Sequence, residues 1–68
     1  MLKENTRYLI KDLRQNIFYT VITELKQNKI MKAWVDSDGN VQVKRHEWSF
    51  AENLFEKGSW VIEKELID

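Results

Sequence analysis

The 68-residue chain has no cysteine, no proline, one histidine and only two glycines. Without cysteine there is neither a disulfide nor a thiolate zinc site, and a single histidine argues against a histidine-based metal centre. The isolated glycines, Gly39 and Gly58, do not form the glycine-rich loop that cradles phosphates. We therefore expect no metal and no cofactor. The absence of cysteine fits a reducing compartment, and we expect the protein to be cytoplasmic.

The chain also lacks a long apolar run. No stretch approaches the ~20 apolar residues that span a bilayer, and no signal-peptide pattern opens the sequence, so we expect no membrane partner. The composition, 43% hydrophobic and 32% charged, is that of one folded domain covering residues 1–68. Below roughly 70–80 residues a core seldom supplies more than about 3–5 kcal/mol, so self-association or a core rich in Trp and Phe must add to it.

Charge is balanced overall but unevenly placed. Residues 1–34 hold seven basic and three acidic side chains, whereas residues 35–68 hold four and eight, which gives +4 and −4. Two explanations remain open: the halves neutralise one another within the chain, or basic and acidic sides meet across a subunit interface.

Residues 30–48 carry the clearest structural signal. Ser37-Asp38-Gly39 between two β-prone runs predicts a hairpin with Gly39 in the left-handed conformation. A three-residue loop pairs Val35 with Val41 and collects one apolar face, made of Met31, Ala33, Val35, Val41 and Val43. The other face carries Lys32, Trp34, Gln42, Lys44, His46 and Trp48. It is either a binding surface or the underside of a further packed layer.

A long amphipathic helix is predicted over residues 6–29, with Thr6 as its N-cap. Its apolar residues recur every three or four positions, at Leu9, Ile10, Leu13, Ile17, Phe18, Val21, Ile22 and Leu25. Tyr19 then lies on the outer side of the helix. The β-branched and aromatic run at residues 17–23 favours a strand instead, but no glycine or proline interrupts the segment.

The remaining chain predicts a short helix and a final strand. Ser49 and Glu52 form a capping box for the helix, and Gly58 marks its end. Residues 59–67 form a final element that is predicted to be a strand, with a helix as the alternative. The predicted fold class is α+β: the long N-terminal helix packs on the apolar face of a small antiparallel hairpin or sheet, and the second helix closes one edge.

One short motif resembles an EF-hand calcium loop. Asp36, Asp38, Asn40 and Glu47 match ligand positions 1, 3, 5 and 12 of that family. The sequence departs from the family at position 6, where Val41 replaces the glycine that permits the sharp turn. The same letters explain a hairpin turn without metal, so no metal ligand is assigned.

Catalytic constellations are nearly absent. His46 and Glu47 are neighbours, but adjacent strand residues point to opposite faces and cannot exchange a proton. No nucleophile–base pair can be placed elsewhere, so we expect the protein not to be an enzyme.

Two kinds of binding remain. We expect a protein–protein interaction module that forms a homodimer or higher oligomer, or that binds another protein, through the aromatic and basic residues Tyr19, Lys32, Trp34, Lys44, His46 and Trp48. The alternative is a nucleic-acid-binding accessory protein that uses the Trp/Lys face of the hairpin, with a second basic row at Arg7, Lys11 and Arg14. The neutral net charge and the lack of a nucleic-acid-binding signature weigh against this alternative.

Overall fold

The computed structural model describes residues 2–67 and consists of one antiparallel sheet with a helix on one side. The strands are β1 (Arg7–Asp12), β2 (Ile17–Glu24), β3 (Lys29–Val35), β4 (Val41–Glu47) and β5 (Trp60–Leu66). A short 3-10 helix, Leu25–Gln27, precedes β3, and helix α1 (Trp48–Glu56) joins β4 to β5. The strand order β4-β3-β2-β1-β5 makes the first four strands a meander. Helix α1 therefore carries the chain from one edge of the sheet to the other.

The predicted N-terminal helix over residues 6–29 is wrong. This segment forms β1 and β2, paired in antiparallel register from Arg7–Ile22 to Asp12–Ile17. The β-branched run at residues 17–23 decides the conformation because it packs better on a pleated surface than on a helix. Thr6 caps no helix; its N–H donates to the Thr23 hydroxyl at 3.1 Å.

Asparagines take the left-handed backbone positions where the chain turns in this segment. Asn16 lies between β1 and β2 and Asn28 follows the 3-10 helix, each with φ of 56°. Asparagine tolerates this region better than other side chains with a Cβ. Two turns therefore form without glycine or proline.

The hairpin prediction is confirmed. Val35 pairs with Val41 and Ala33 with Val43, and Gly39 has φ of 84°. The predicted C-terminal strand is also confirmed, over Trp60–Leu66. The capping box is not formed: the N-cap of α1 is Glu47, without a side-chain cap bond.

The core lies between the sheet and α1. Its buried apolar residues are Tyr8, Ile10, Tyr19, Val21, Ile30, Ala51, Leu54 and Trp60. Ala51 and Leu54 belong to α1, and the others lie on one side of the sheet. This side, which also carries Lys32, Trp34 and His46, is called the covered face. The hairpin face made of Met31, Ala33, Val35, Val41 and Val43 was predicted to lie under a helix, but α1 leaves this side of the sheet uncovered. The prediction of which hairpin face is packed against a helix is therefore wrong.

Candidate interaction surfaces

The residues predicted to bind a partner all lie on the covered face or on α1. Tyr19 is 4% exposed and part of the core, so its predicted place on the outer side of a helix is wrong. Trp34 and Trp48 are half-buried and pack against that core. Lys44 is exposed on the edge strand β4, whereas Lys32 and His46 are half-buried. For the two tryptophans, the arrangement corresponds to the packed-layer interpretation of this face.

Lys32 is surrounded by aromatic rings. Its ammonium lies 4.4 Å from the ring centroid of Tyr19, 4.8 Å from that of Trp34 and 5.9 Å from that of Trp60. Burial, together with the nearby charge of Lys44, lowers the pKa of Lys32. The π faces compensate part of the lost hydration, which allows a lysine to lie beside the core.

His46 stacks on Phe50, with ring centroids 4.5 Å apart and ring planes 17° apart. Its Nε2 is buried without a hydrogen-bond partner. Burial, with Lys32 and Lys44 nearby, lowers the pKa of His46. The neutral imidazole therefore acts as a packing group between β4 and α1.

The EF-hand-like residues form a turn. One carboxylate oxygen of Asp36 accepts from the N–H groups of Asp38 and Asn40, each at 2.9 Å, and the other accepts from the Gln42 amide at 2.8 Å. Glu47 forms an ion pair with Lys29. Both carboxylates at the ends of the motif are thus engaged by the protein itself. Within residues 2–67, no cluster of three or more histidine or acidic side chains has a metal-binding arrangement.

The uncovered side of the sheet, called the open face, is apolar over most of its width. Alternation along the strand pairings places on it the uncharged residues Leu9, Phe18, Thr20, Ile22, Met31, Ala33, Val35, Val41, Val43, Val61 and Leu66. The charged residues on this face are Arg7, Lys11, Glu24, Lys29, Arg45, Glu47 and Lys64. Four of the uncharged residues are strongly exposed: Val41 at 70%, Val35 at 65%, Val43 at 57% and Phe18 at 52%. These four residues lie near the end of the sheet at which the hairpin turn joins β3 to β4.

Charges on the open face are mostly paired within the chain. Arg45 makes a two-pronged contact with Glu24, at 3.1 and 3.2 Å, and Lys29 pairs with Glu47. The Lys11 ammonium lies over the Phe18 ring at 5.4 Å. The two ion pairs therefore lie at the end of the face away from the hairpin, whereas Lys11 lies in the same row as Val41, Val35 and Phe18 and places one cation beside the exposed cluster.

A groove of about 820 Å³ runs between α1 and the β5 edge. Its walls are aromatic, from Tyr8, Trp48, Phe55 and Trp60, and its rim includes three carboxylates, those of Glu52, Glu56 and Glu65. No sequence motif predicted the groove. The available signal was the spacing of Trp48, Glu52, Phe55 and Glu56, which share one side of a helix.

Comparisons with known proteins found no similarity: no family model matches the chain, and no curated protein or solved structure is significantly similar to it. Among residues 2–67, no helix has the length and the apolar character needed to cross a bilayer.

Proposed function

We propose that the protein is a small, non-catalytic interaction module that self-associates through the open face of its sheet. The observation that supports this most is the exposed cluster of Phe18, Val35, Val41 and Val43 on a face that α1 does not cover. Sheets with one apolar face normally bury it against a second layer. Contiguous exposed apolar patches on soluble proteins commonly mark binding sites.

The size of the open face suits a second copy of the chain. Five strands spaced about 4.8 Å apart and about 20 Å long give a flat face of roughly 500 Å². Two such faces in contact bury roughly 1,000 Å² in total, the area at which a specific interface becomes credible. Sheets pack face to face at about 10 Å with interdigitating side chains, and small valines permit this.

The charges of the chain are compatible with contact between the open faces of two copies. The net charge is zero, so two copies do not repel each other as whole molecules. The ion pairs Arg45–Glu24 and Lys29–Glu47 are closed within one chain, so no unpaired charge from them enters the interface. The valines instead supply non-directional apolar area.

Sedimentation velocity over a concentration series tests this proposal. Wild-type protein should form a dimer or larger species at micromolar concentrations, and Val43→Glu should shift it to monomer, with a dissociation constant raised at least about tenfold, because the carboxylate would be buried unpaired. The matched control is Leu13→Glu, at a 54% exposed leucine in the β1–β2 connection. A monomeric wild type, or a Val43→Glu protein that still associates, would refute the proposal.

Nucleic acid is the alternative partner. Lys32 and Lys44 pair across β3 and β4, but the Trp34 ring, on which bases would stack, is packed against Lys32 and the core. Trp48, the other candidate for stacking, also packs against the core. Retention on heparin at about 0.15 M salt would favour this alternative, since phosphate contacts depend strongly on salt.

A further inference from the structure

The groove between α1 and β5 lies on the covered side of the sheet, away from the surface proposed for self-association. One wall is a stripe of α1 in which aromatic and acidic residues alternate, Trp48, Glu52, Phe55 and Glu56. Their spacing of i, i+4, i+7 and i+8 puts them on one helical side. The other wall includes Trp60 and Ile62 of β5.

The acidic residues of α1 are placed where they cost helix stability. Glu52 and Glu56 are one turn apart, so their like charges repel. Glu56 is also the last residue of α1, next to the negative end of the helix dipole. Neither glutamate has an ion-pair partner within residues 2–67. A bound cation would relieve both unfavourable terms at once.

The chain itself shows which chemistry this groove accepts. Leu2 lines one end of the groove and packs against the core. The ammonium of the next residue, Lys3, lies 3.0 Å from the Glu65 carboxylate. The Lys3 N–H donates to the Tyr8 hydroxyl at 2.8 Å, which fixes the segment there. One end of the groove is thus already occupied by the aliphatic side chain of Leu2 against its aromatic wall and by the ammonium of Lys3 at the Glu65 carboxylate.

We propose that the rest of the groove binds a segment of a partner protein in which aliphatic side chains alternate with lysine or arginine. Its aliphatic side chains lie against Trp48, Phe55 and Trp60, and its cations contact Glu52 and Glu56. A volume of about 820 Å³ holds a few residues of such a segment. The pattern is the one already made by Leu2 and Lys3 at the far end.

A short capped peptide of alternating leucine and lysine, carrying a fluorescent label, is the probe. Its anisotropy is measured during titration with the full chain, and the change in tryptophan fluorescence is followed with an unlabelled copy. Glu52→Gln and Glu56→Gln should each weaken binding about threefold or more. The matched control is Glu63→Gln, an exposed carboxylate of β5 that does not line the groove, which should leave affinity unchanged.

Two further peptides separate this site from general charge attraction. Replacing leucine by serine, or lysine by glutamate, should abolish saturable binding. The proposal is overturned if the serine peptide binds as tightly as the leucine peptide, if the control and groove variants weaken binding equally, or if the leucine–lysine peptide does not bind at millimolar concentration. Sedimentation of the same variants should show unchanged self-association, because the open face is not altered.

Discussion

The indole Nε1 of Trp60 donates a hydrogen bond to the carboxylate of Asp12 at 3.1 Å, joining the first residue of β5 to the last residue of β1. Asp12 is only 1% exposed. Its second oxygen accepts from the N–H of Arg14 at 2.9 Å and from that of Gln15 at 3.3 Å. One buried carboxylate therefore holds the β1–β2 turn and the largest core side chain in place.

Asp12 makes stability sensitive to acid. Burial alone would raise the pKa of Asp12, but the hydrogen bonds from Arg14 and Trp60 outweigh it and hold the pKa below its ordinary value. Its contribution is therefore complete above about pH 4, the ordinary value for Asp, and is lost as the pH falls through the lowered pKa. We expect Asp12→Asn to reduce the free energy of unfolding by about 1–3 kcal/mol at neutral pH.

Urea unfolding of both proteins between neutral pH and strong acid measures this effect. The difference between wild type and Asp12→Asn should shrink as the pH falls below about 4. Asp38→Asn, at an exposed loop position, should keep the wild-type acid dependence. A constant difference across the range would show that the charge of Asp12 does not contribute.

His46 should add a second pH dependence near neutrality. Because burial and the two nearby lysines lower the pKa of His46, the unfolded chain binds more protons between that lowered value and about 6.5. Stability should therefore fall as the pH drops through this window, and His46→Gln should flatten the dependence. Thermal unfolding by circular dichroism and an NMR titration of the imidazole measure both quantities. A titration midpoint at or above about 6.5 would contradict this account.

Substitution of Trp34, on the covered face, tests which face of the sheet carries self-association. The Trp34 ring meets that of Tyr19 edge-on, with centroids 5.6 Å apart and an angle of 83°. We expect Trp34→Ala to lower the free energy of unfolding by about 2–4 kcal/mol, since a packed aromatic ring is lost. Self-association of the folded fraction should not change. If Trp34→Ala instead stays fully stable and dissociates, the covered face carries the association.

Gly39 tests the backbone requirement of the hairpin. A Cβ added at Gly39 would meet no atom within 4 Å, but φ is 84°. Gly39→Ala should therefore cost about 1 kcal/mol through backbone strain alone, measured by chemical denaturation. Gly39→Asn should cost less, because asparagine tolerates this conformation. Equal losses for the two variants would point to a cause other than φ.

The hairpin could be predicted because two local signals agreed: the glycine in the turn and the alternation of Val35, Val41 and Val43. The N-terminal half could not, since its apolar spacing fits a helix while strands β1 and β2 have burial on alternate residues. Asn16, the turn residue between them, was a weaker signal than glycine or proline. β-Propensity at residues 17–23 was the signal that should have prevailed.

Which face is covered depends on long-range packing. Both sides of the hairpin carry large apolar groups, and the sequence of residues 30–48 alone does not say which side faces the helix. Trp60, far along the chain, fills the space beside Tyr19 at 6.0 Å between ring centroids and makes the Trp/Lys side the inner one. The groove depends on the same tertiary arrangement, because β5 returns to the opposite edge of the sheet.

The most direct test of the central claim is an isotope-filtered NOE experiment on a mixture of labelled and unlabelled chains. We expect intermolecular cross-peaks from the methyl groups of Val35, Val41 and Val43 and from the Phe18 ring, because these side chains would meet their counterparts in the second copy. Intermolecular peaks confined to Trp48 and Phe55, or none at concentrations where the protein sediments as a dimer, would contradict an interface at the open face.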